Sequence, residues 1–280
     1  MSKIKLGLNG RFKLGFVVNT CFMLFELIVG TLTGSLVLIA DGIHNLTDSI
    51  TLVISWIANW IGKKPADKTH TLGHGRITVV AAFVNSTILV ATGIVIVFEA
   101  YRRFTNPIDI AGDIIVVTAL IGIFANGFVA WLFRNFRSDI NVKAAFLNMT
   151  FDMLFSIASM VAGALIIVTG QNWIDPAVSL GVSFGLFYAA FGIFKQASNI
   201  FLEGVPHDVD IKEIRLKIRS HPGVEKIHNL YAWGIDSTDY AICCSLVPSN
   251  KSQKNIEKTR EELKIILQGE GFKLVIIEII

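Results

Sequence analysis

Apolar residues fall into six long blocks over the first two hundred positions, roughly residues 12 to 33, 38 to 62, 77 to 101, 111 to 133, 143 to 169 and 174 to 199. Each holds about 20 residues or more, enough at about 1.5 Å per residue to cross the ~30 Å hydrocarbon core of a bilayer. The pattern predicts a polytopic α-helical membrane domain over residues 1–203, with six transmembrane helices. Val205-Pro206-His207-Asp208 is a polar break with a helix-stopping proline, and a mixed pattern follows over residues 204–280. There Ile211, Ile214 and Ile218 share a helical face that stops at His221-Pro222-Gly223. Residues 224–233 and 240–247 read as a hairpin, with Tyr240, Ile242, Cys244 and Leu246 on one face. Ile256, Leu263 and Ile266 mark a second helix closed by Gly269, and residues 272–280 form a last strand. The order α-β-β-α-β predicts a small α+β cytoplasmic domain. Its size is marginal for a self-sufficient core, so dimerisation or metal binding would support it.

Composition strengthens the membrane reading: of 280 residues, 52% are hydrophobic and only 17% charged. Cys21 lies in an apolar run and Cys243 and Cys244 are adjacent, so no disulfide framework is implied. The apolar run after Lys3, Lys5, Arg11 and Lys13 is too long for a signal-peptide core and reads as a retained first span. Lys63, Lys64, Lys68 and Arg76 lie between blocks two and three, and Arg134, Arg137 and Lys143 surround the link between four and five. The opposite loops hold only Arg102 and Arg103, so the positive-inside rule places both termini in the cytoplasm of a plasma or inner membrane. The net charge of +3 is modest, and the expected surroundings are lipid and not nucleic acid. No phosphate-binding G-x4-G-K-[ST] loop occurs, which disfavours ATP-driven pumping, and no H-E-x-x-H catalytic motif suggests an enzyme or an organic cofactor.

Ionisable residues inside apolar blocks are costly unless they serve an ion path or find partners. In the second block Asp41, His44 and Asp48 stand at i, i+3 and i+7, on one helical face. The fifth offers Asn148 and Asp152 at i and i+4. If the two helices pack together, an imidazole, two carboxylates and an amide oxygen converge, a donor set suited to zinc. The competing reading is ordinary hydrogen bonding between helices. Asp67, His70 and His74, in the loop after the second block, follow a D-x2-H-x3-H spacing that can close a three-ligand site; a solvated loop is the alternative.

These residues resemble the cation diffusion facilitators, and among them the bacterial zinc exporters. The resemblance covers nearly the whole chain and rests on four features. They are Gly34-Ser35-Leu36 before Ala40-Asp41-Gly42-Ile43-His44-Asn45-Leu46-Thr47-Asp48, the Leu72-Gly73-His74-Gly75-Arg76 loop, Asn141-Val142-Lys143-Ala144-Ala145 before the fifth block, and the α-β-β-α-β tail. It implies that His44, Asp48 and Asp152 match ligands of the transport site, and that Asp67, His70 and His74 match a loop site. It also implies a homodimer exchanging a divalent cation for protons by alternating access, with a metallochaperone-like regulatory tail. His228, Cys244 and Glu278 fall near positions that carry metal in some relatives, with His207 or Asp208 as substitutes and a merely structural role as the alternative. One departure stands out: the family's zinc pattern has His, or sometimes Asp, where this chain has Asn148. A neutral amide is a weaker ligand, so zinc stands first beside manganese, iron(II), cobalt, cadmium or a non-transporting metal-sensing or scaffold subunit. Arg76 and Glu203 are placed to form an ion pair between the membrane bundle and the tail.

Overall fold

A computed structural model of the chain describes residues 7–33, 36–106, 112–136, 138–171 and 173–280. Lys3, Lys5, Gly34, Ser35, Arg137 and the side chain of Asp41 lie outside the described residues. Six long helices come first: α1 (Leu8–Thr33), α2 (Leu36–Gly62), α3 (Arg76–Thr105), α4 (Gly112–Phe133), α5 (Ile140–Thr169) and α6 (Ile174–Phe201). Among the described residues, α1, α3, α4, α5 and α6 contain stretches long and apolar enough to cross a membrane. Polar residues recur along α2 at Asn45, Asp48, Ser49, Thr51, Ser55 and Asn59, and all six are buried. That helix therefore turns a polar stripe toward its neighbours, where each group must find a partner. The large apolar side chains face the other way: Phe98, Phe124 and Tyr188 are 75%, 71% and 87% exposed. Water would disfavour such a surface and lipid accepts it, as expected of a multi-pass membrane protein.

α5 is the hub, packing against α2, α3, α4 and α6. Phe12, Leu52, Val129, Phe133, Val142 and Met149 join it to α1, α2 and α4 in one apolar cluster. Val79, Ala82, Ala144, Ile193 and Ala197 join it to α3 and α6 in another. Small residues such as Ala144 and Ala145 let the helices approach closely. α5 starts at Asp139, whose carboxylate accepts from the backbone N–H groups of Asn141 and Val142, and ends at Gly170 with φ 68°, a left-handed cap.

The remaining elements are α7 (Ile211–Arg219), β1 (Val224–Gly234), β2 (Tyr240–Pro248), α8 (Gln253–Gly269) and β3 (Phe272–Ile279). β2 is the middle strand, antiparallel to β1 and parallel to β3. Ile242, Cys244 and Leu246 alternate onto the face covered by the helices, where Ile214, Ile218, Leu263 and Leu267 meet them. The buried stripe of α8 is Thr259, Leu263 and Leu267, an i, i+4, i+8 row, and Ile266 is 37% exposed. The expected face through Ile266 is thus rotated by one residue, because Leu267 continues the row set by Leu263.

The tail meets the membrane bundle at the start of α3. Arg76 Nε donates to the carbonyl oxygen of Ile235 at 3.1 Å, and the expected pair with Glu203 forms at 3.5 Å. A side chain on Gly75 would overlap the carboxylate of Asp236, so glycine is what allows this close approach. Burial, with nearby Asp236 adding to it, raises the Asp139 carboxyl above its ordinary range on the same side of the bundle.

Candidate metal centre

Among the described residues, two groups of three side chains bring potential ligand atoms within 4.8 Å of one another: His44, Asp48 and Asp152, and Asp67, His70 and His74. The first lies between α2 and α5. His44 Nε2 is 3.8 Å from Asp48 Oδ2 and 3.8 Å from Asp152 Oδ1. Donors bound to one zinc ion at about 2.0–2.2 Å lie roughly 3.5 Å apart, so a small inward movement would let all three share a tetrahedral cation. Asp48 is 3% exposed, whereas the His44 side chain keeps 33% exposure. The cluster is thus closed on the carboxylate side and reachable on the imidazole side.

Asn148 sits among these groups with its nitrogen facing both carboxylates. Nδ2 donates to Asp48 Oδ1 at 2.9 Å and to Asp152 Oδ2 at 3.3 Å. In this orientation the amide gathers the two anionic ligands. A half-turn of the amide would present its oxygen to a cation instead.

The second group is local. Asp67 Oδ1 accepts from Thr69 N at 2.8 Å, Thr69 Oγ1 at 2.8 Å and His70 N at 2.7 Å. Led by the Thr69 hydroxyl, these hydrogen bonds hold the Asp67 carboxyl well below the usual carboxylate range. His70 Nδ1 stands 3.4 Å from Oδ1 and His74 Nε2 3.5 Å from Oδ2, spacings that one cation can span. Gly73, at φ 82°, supplies the left-handed residue that turns the chain between the two histidines. Their rings lie 4.4 Å apart, centroid to centroid.

The structure does not bring His228, Cys244 and Glu278 together. Cys244 points into the core of the tail, and burial pushes its thiol up to about 11, so it is protonated at neutral pH. Glu278 pairs in register with Ser245, one residue along β2 and hence on the opposite face, where it accepts from Ser245 Oγ at 2.6 Å. His228 is exposed, at an irregularity in the pairing of β1. His207 and Asp208 lie 3.8 Å apart, both over four-fifths exposed.

Sequence reasoning missed two polar sets. Asn45 Nδ2 donates to Glu26 Oε2 at 2.6 Å, and Asn19 Nδ2 donates to both the Asn45 carbonyl oxygen and Ser49 Oγ at 3.0 Å, which links α1 to α2. Ser55, Asn85 and Asn141 form the other set, joining α2, α3 and α5. The polar stripe of α2 was the available signal, since Ser55 continues the Asp48 face at i+7 and Asn45 begins a neighbouring one.

Comparison with known proteins places the chain among its relatives. Residues 12–202 match the model of the cation efflux transmembrane domain. The chain is 32% identical over 259 residues to the cadmium, cobalt and zinc/H(+)-K(+) antiporter of Bacillus subtilis, covering 90% of this chain and 83% of that protein. It is 37% identical over 221 residues to the zinc transporter ZitB of Escherichia coli, covering 78% and 71%. With the metal cation efflux system protein CzcD of Cupriavidus metallidurans it shares 34% identity over 257 residues, covering 91% and 81%. With more than half of its length inside the family domain, the chain belongs to the cation efflux, or cation diffusion facilitator, family of membrane transporters and is not an enzyme.

Proposed function

We propose that this chain exports a divalent metal cation, zinc foremost, from the cytoplasm in exchange for protons. The observation that carries the reading is the convergence of His44, Asp48 and Asp152 from α2 and α5 inside the helical bundle. Imidazole and carboxylate oxygens bind metal only when deprotonated, so protons and cation compete for the same lone pairs. A site that loads metal on one side and protons on the other couples the two fluxes through alternating access. Six spans with both termini cytoplasmic would place the Asp67–His70–His74 loop and the tail on the loading side. Residues 1–203 then form the transport domain and residues 204–280 a regulatory domain, working as a homodimer. The zinc, cadmium and cobalt named for the relatives support a divalent substrate.

The test is zinc flux in proteoliposomes with an imposed pH gradient. Uptake should follow the gradient, alkalinise the lumen in proportion as protons leave, and vanish in Asp48→Ala. Uptake that is indifferent to a collapsed gradient and moves no protons would overturn the exchange. Competition among zinc, manganese, iron(II), cobalt and cadmium decides the ion. A specific observation favours a second reading, a metal-sensing subunit without turnover: Asn148 turns a donor nitrogen, not an oxygen lone pair, toward both carboxylates. Transport found only in Asn148→His would establish it.

A further inference from the structure

The α2–α5 interface carries a second polar cluster two helical turns from Asp48. Asn85 Nδ2, on α3, donates to Ser55 Oγ at 2.7 Å, and Asn141 Nδ2, on α5, donates to the Ser55 carbonyl oxygen at 2.9 Å. Ser55, Asn85 and Asn141 are 0%, 3% and 0% exposed. The Oδ1 atoms of both asparagines are buried and receive no hydrogen bond from any described residue. Buried polar atoms left so are costly, and both belong to side chains that bond the same serine.

The position of the cluster says what that ligand does. Ser55 meets Asn141, Asp48 meets Asn148 and His44 nears Asp152, so the two helices run antiparallel and form successive rungs. Between the first rung and the second lie Leu52 and Ala145, at most 2% exposed and packed in one apolar cluster, beside the buried Thr51. Seven residues of helix put the polar rungs about 10 Å apart. The Ser55 rung faces the end of the bundle that carries the α2–α3 loop and the tail, because Asn141 stands in the first turn of α5. Asn59, one turn further out, is also buried and donates to Asn9 Oδ1 at 2.5 Å.

Two amide oxygens and a hydroxyl carry no formal charge. Neutral oxygens suit a hard or still-hydrated cation, and they hold it loosely enough to pass it on. We infer that Ser55, Asn85 and Asn141 form an entry station for a hydrated divalent cation, two helical turns short of the His44–Asp48–Asp152 cluster. The inference rests on the transport reading above.

Zinc is the probe, on the full chain. Asn85→Leu and Asn141→Leu keep volume and remove the oxygens; each should raise the KM for zinc flux about tenfold while the zinc equivalent that depends on Asp48 keeps its affinity within about twofold. Asn141→Asp, which keeps shape and adds charge, should gain a further zinc equivalent by calorimetry, and that equivalent should survive in Asn141→Asp combined with Asp48→Ala. An unchanged KM in well-folded leucine variants, or no added equivalent in the aspartate variant, overturns the station and leaves a buried water as the ligand. Should the leucine variants not fold, the aspartate arm decides alone. A parent chain with neither an Asp48-dependent zinc equivalent nor flux would sink the transport reading. The Asn141→Asp, Asp48→Ala chain reads the station independently of that.

Discussion

Asn148 donates from one nitrogen to the carboxylates of Asp48 and Asp152, so it stabilises their negative charge in the absence of a cation. A histidine there would contribute a nitrogen lone pair in place of an amide hydrogen. Asn148→His should therefore tighten zinc binding about tenfold or more, ~1.4 kcal/mol, and Asn148→Leu should weaken it by removing the donor that gathers the two carboxylates. Calorimetry on the Asp48-dependent equivalent reads both; equal loss in both variants would assign Asn148 a packing role only. Cys244 gives a prediction of opposite kind. Its thiol, held up to about 11 by burial, is stabilised as the neutral form, so its contribution is present below pH 9 and is lost as pH rises toward 11. Cys244→Ser should leave zinc stoichiometry unchanged, and the alkaline loss of tail stability, followed by circular dichroism, should shift in that variant. His44, Asp48 and Asp152 were legible in the sequence because ionisable groups at helical spacing in an apolar block need a reason. Ser55, Asn85 and Asn141 were not, since a lone serine or asparagine in such a block reads like any interhelical hydrogen bond.

Elements were legible wherever hydrophobic spacing ran unbroken. α1 was expected from residue 12 and begins at Leu8, and α5 was expected from 143 and begins at Ile140, where Asp139 caps it. Such caps lie outside the apolar run, which is why periodicity places helix starts late. α2 shows the opposite tension: its length was evident, yet one of its faces is a buried polar stripe that hydrophobic spacing alone does not reveal. The loop from Pro65 to Gly75 has no periodicity to read, and its order comes from Asp67, which accepts from the Thr69 and His70 amides. Because these bonds depress the Asp67 pKa, the order they give is present above the ordinary carboxylate value near 3.8 and is lost only as pH falls well below it. Asp67→Ala should speed hydrogen exchange at the Thr69 and His70 amides at neutral pH, whereas acidifying the parent to pH 4 should not. Exchange equally fast in parent and variant would show that Asp67 does not organise the loop.

On the scale of the molecule, the loop of Asp67, His70 and His74 and the tail share one junction. The loop ends at Gly75, and Arg76 then reaches the Ile235 carbonyl oxygen and Glu203 together. The exposed ion pair is worth only ~0–1 kcal/mol, so charge swapping should change little. Steric fit at Gly75 matters more. The Asp236 carboxylate that a Cβ would strike is held in place, since its Oδ1 accepts from the amides of Thr238 and Asp239 at 2.8 Å and so shapes the β1–β2 turn. Swinging it aside forfeits two backbone hydrogen bonds, and keeping it forces the tail away from α3. Gly75→Ala should thus weaken docking by about 1–3 kcal/mol while the tail keeps its own core of Ile218, Ile242, Leu246 and Leu263. Hydrogen exchange on the intact protein separates the two effects: amides from Ile235 to Asp239 should exchange faster, with β2 and α8 protected as before. If protection fell uniformly through the tail, the junction would be part of that domain's folding unit. If nothing changed, the tail would not bear on the loop at all, and metal bound at Asp67, His70 and His74 would have no route through this contact to the rest of the chain.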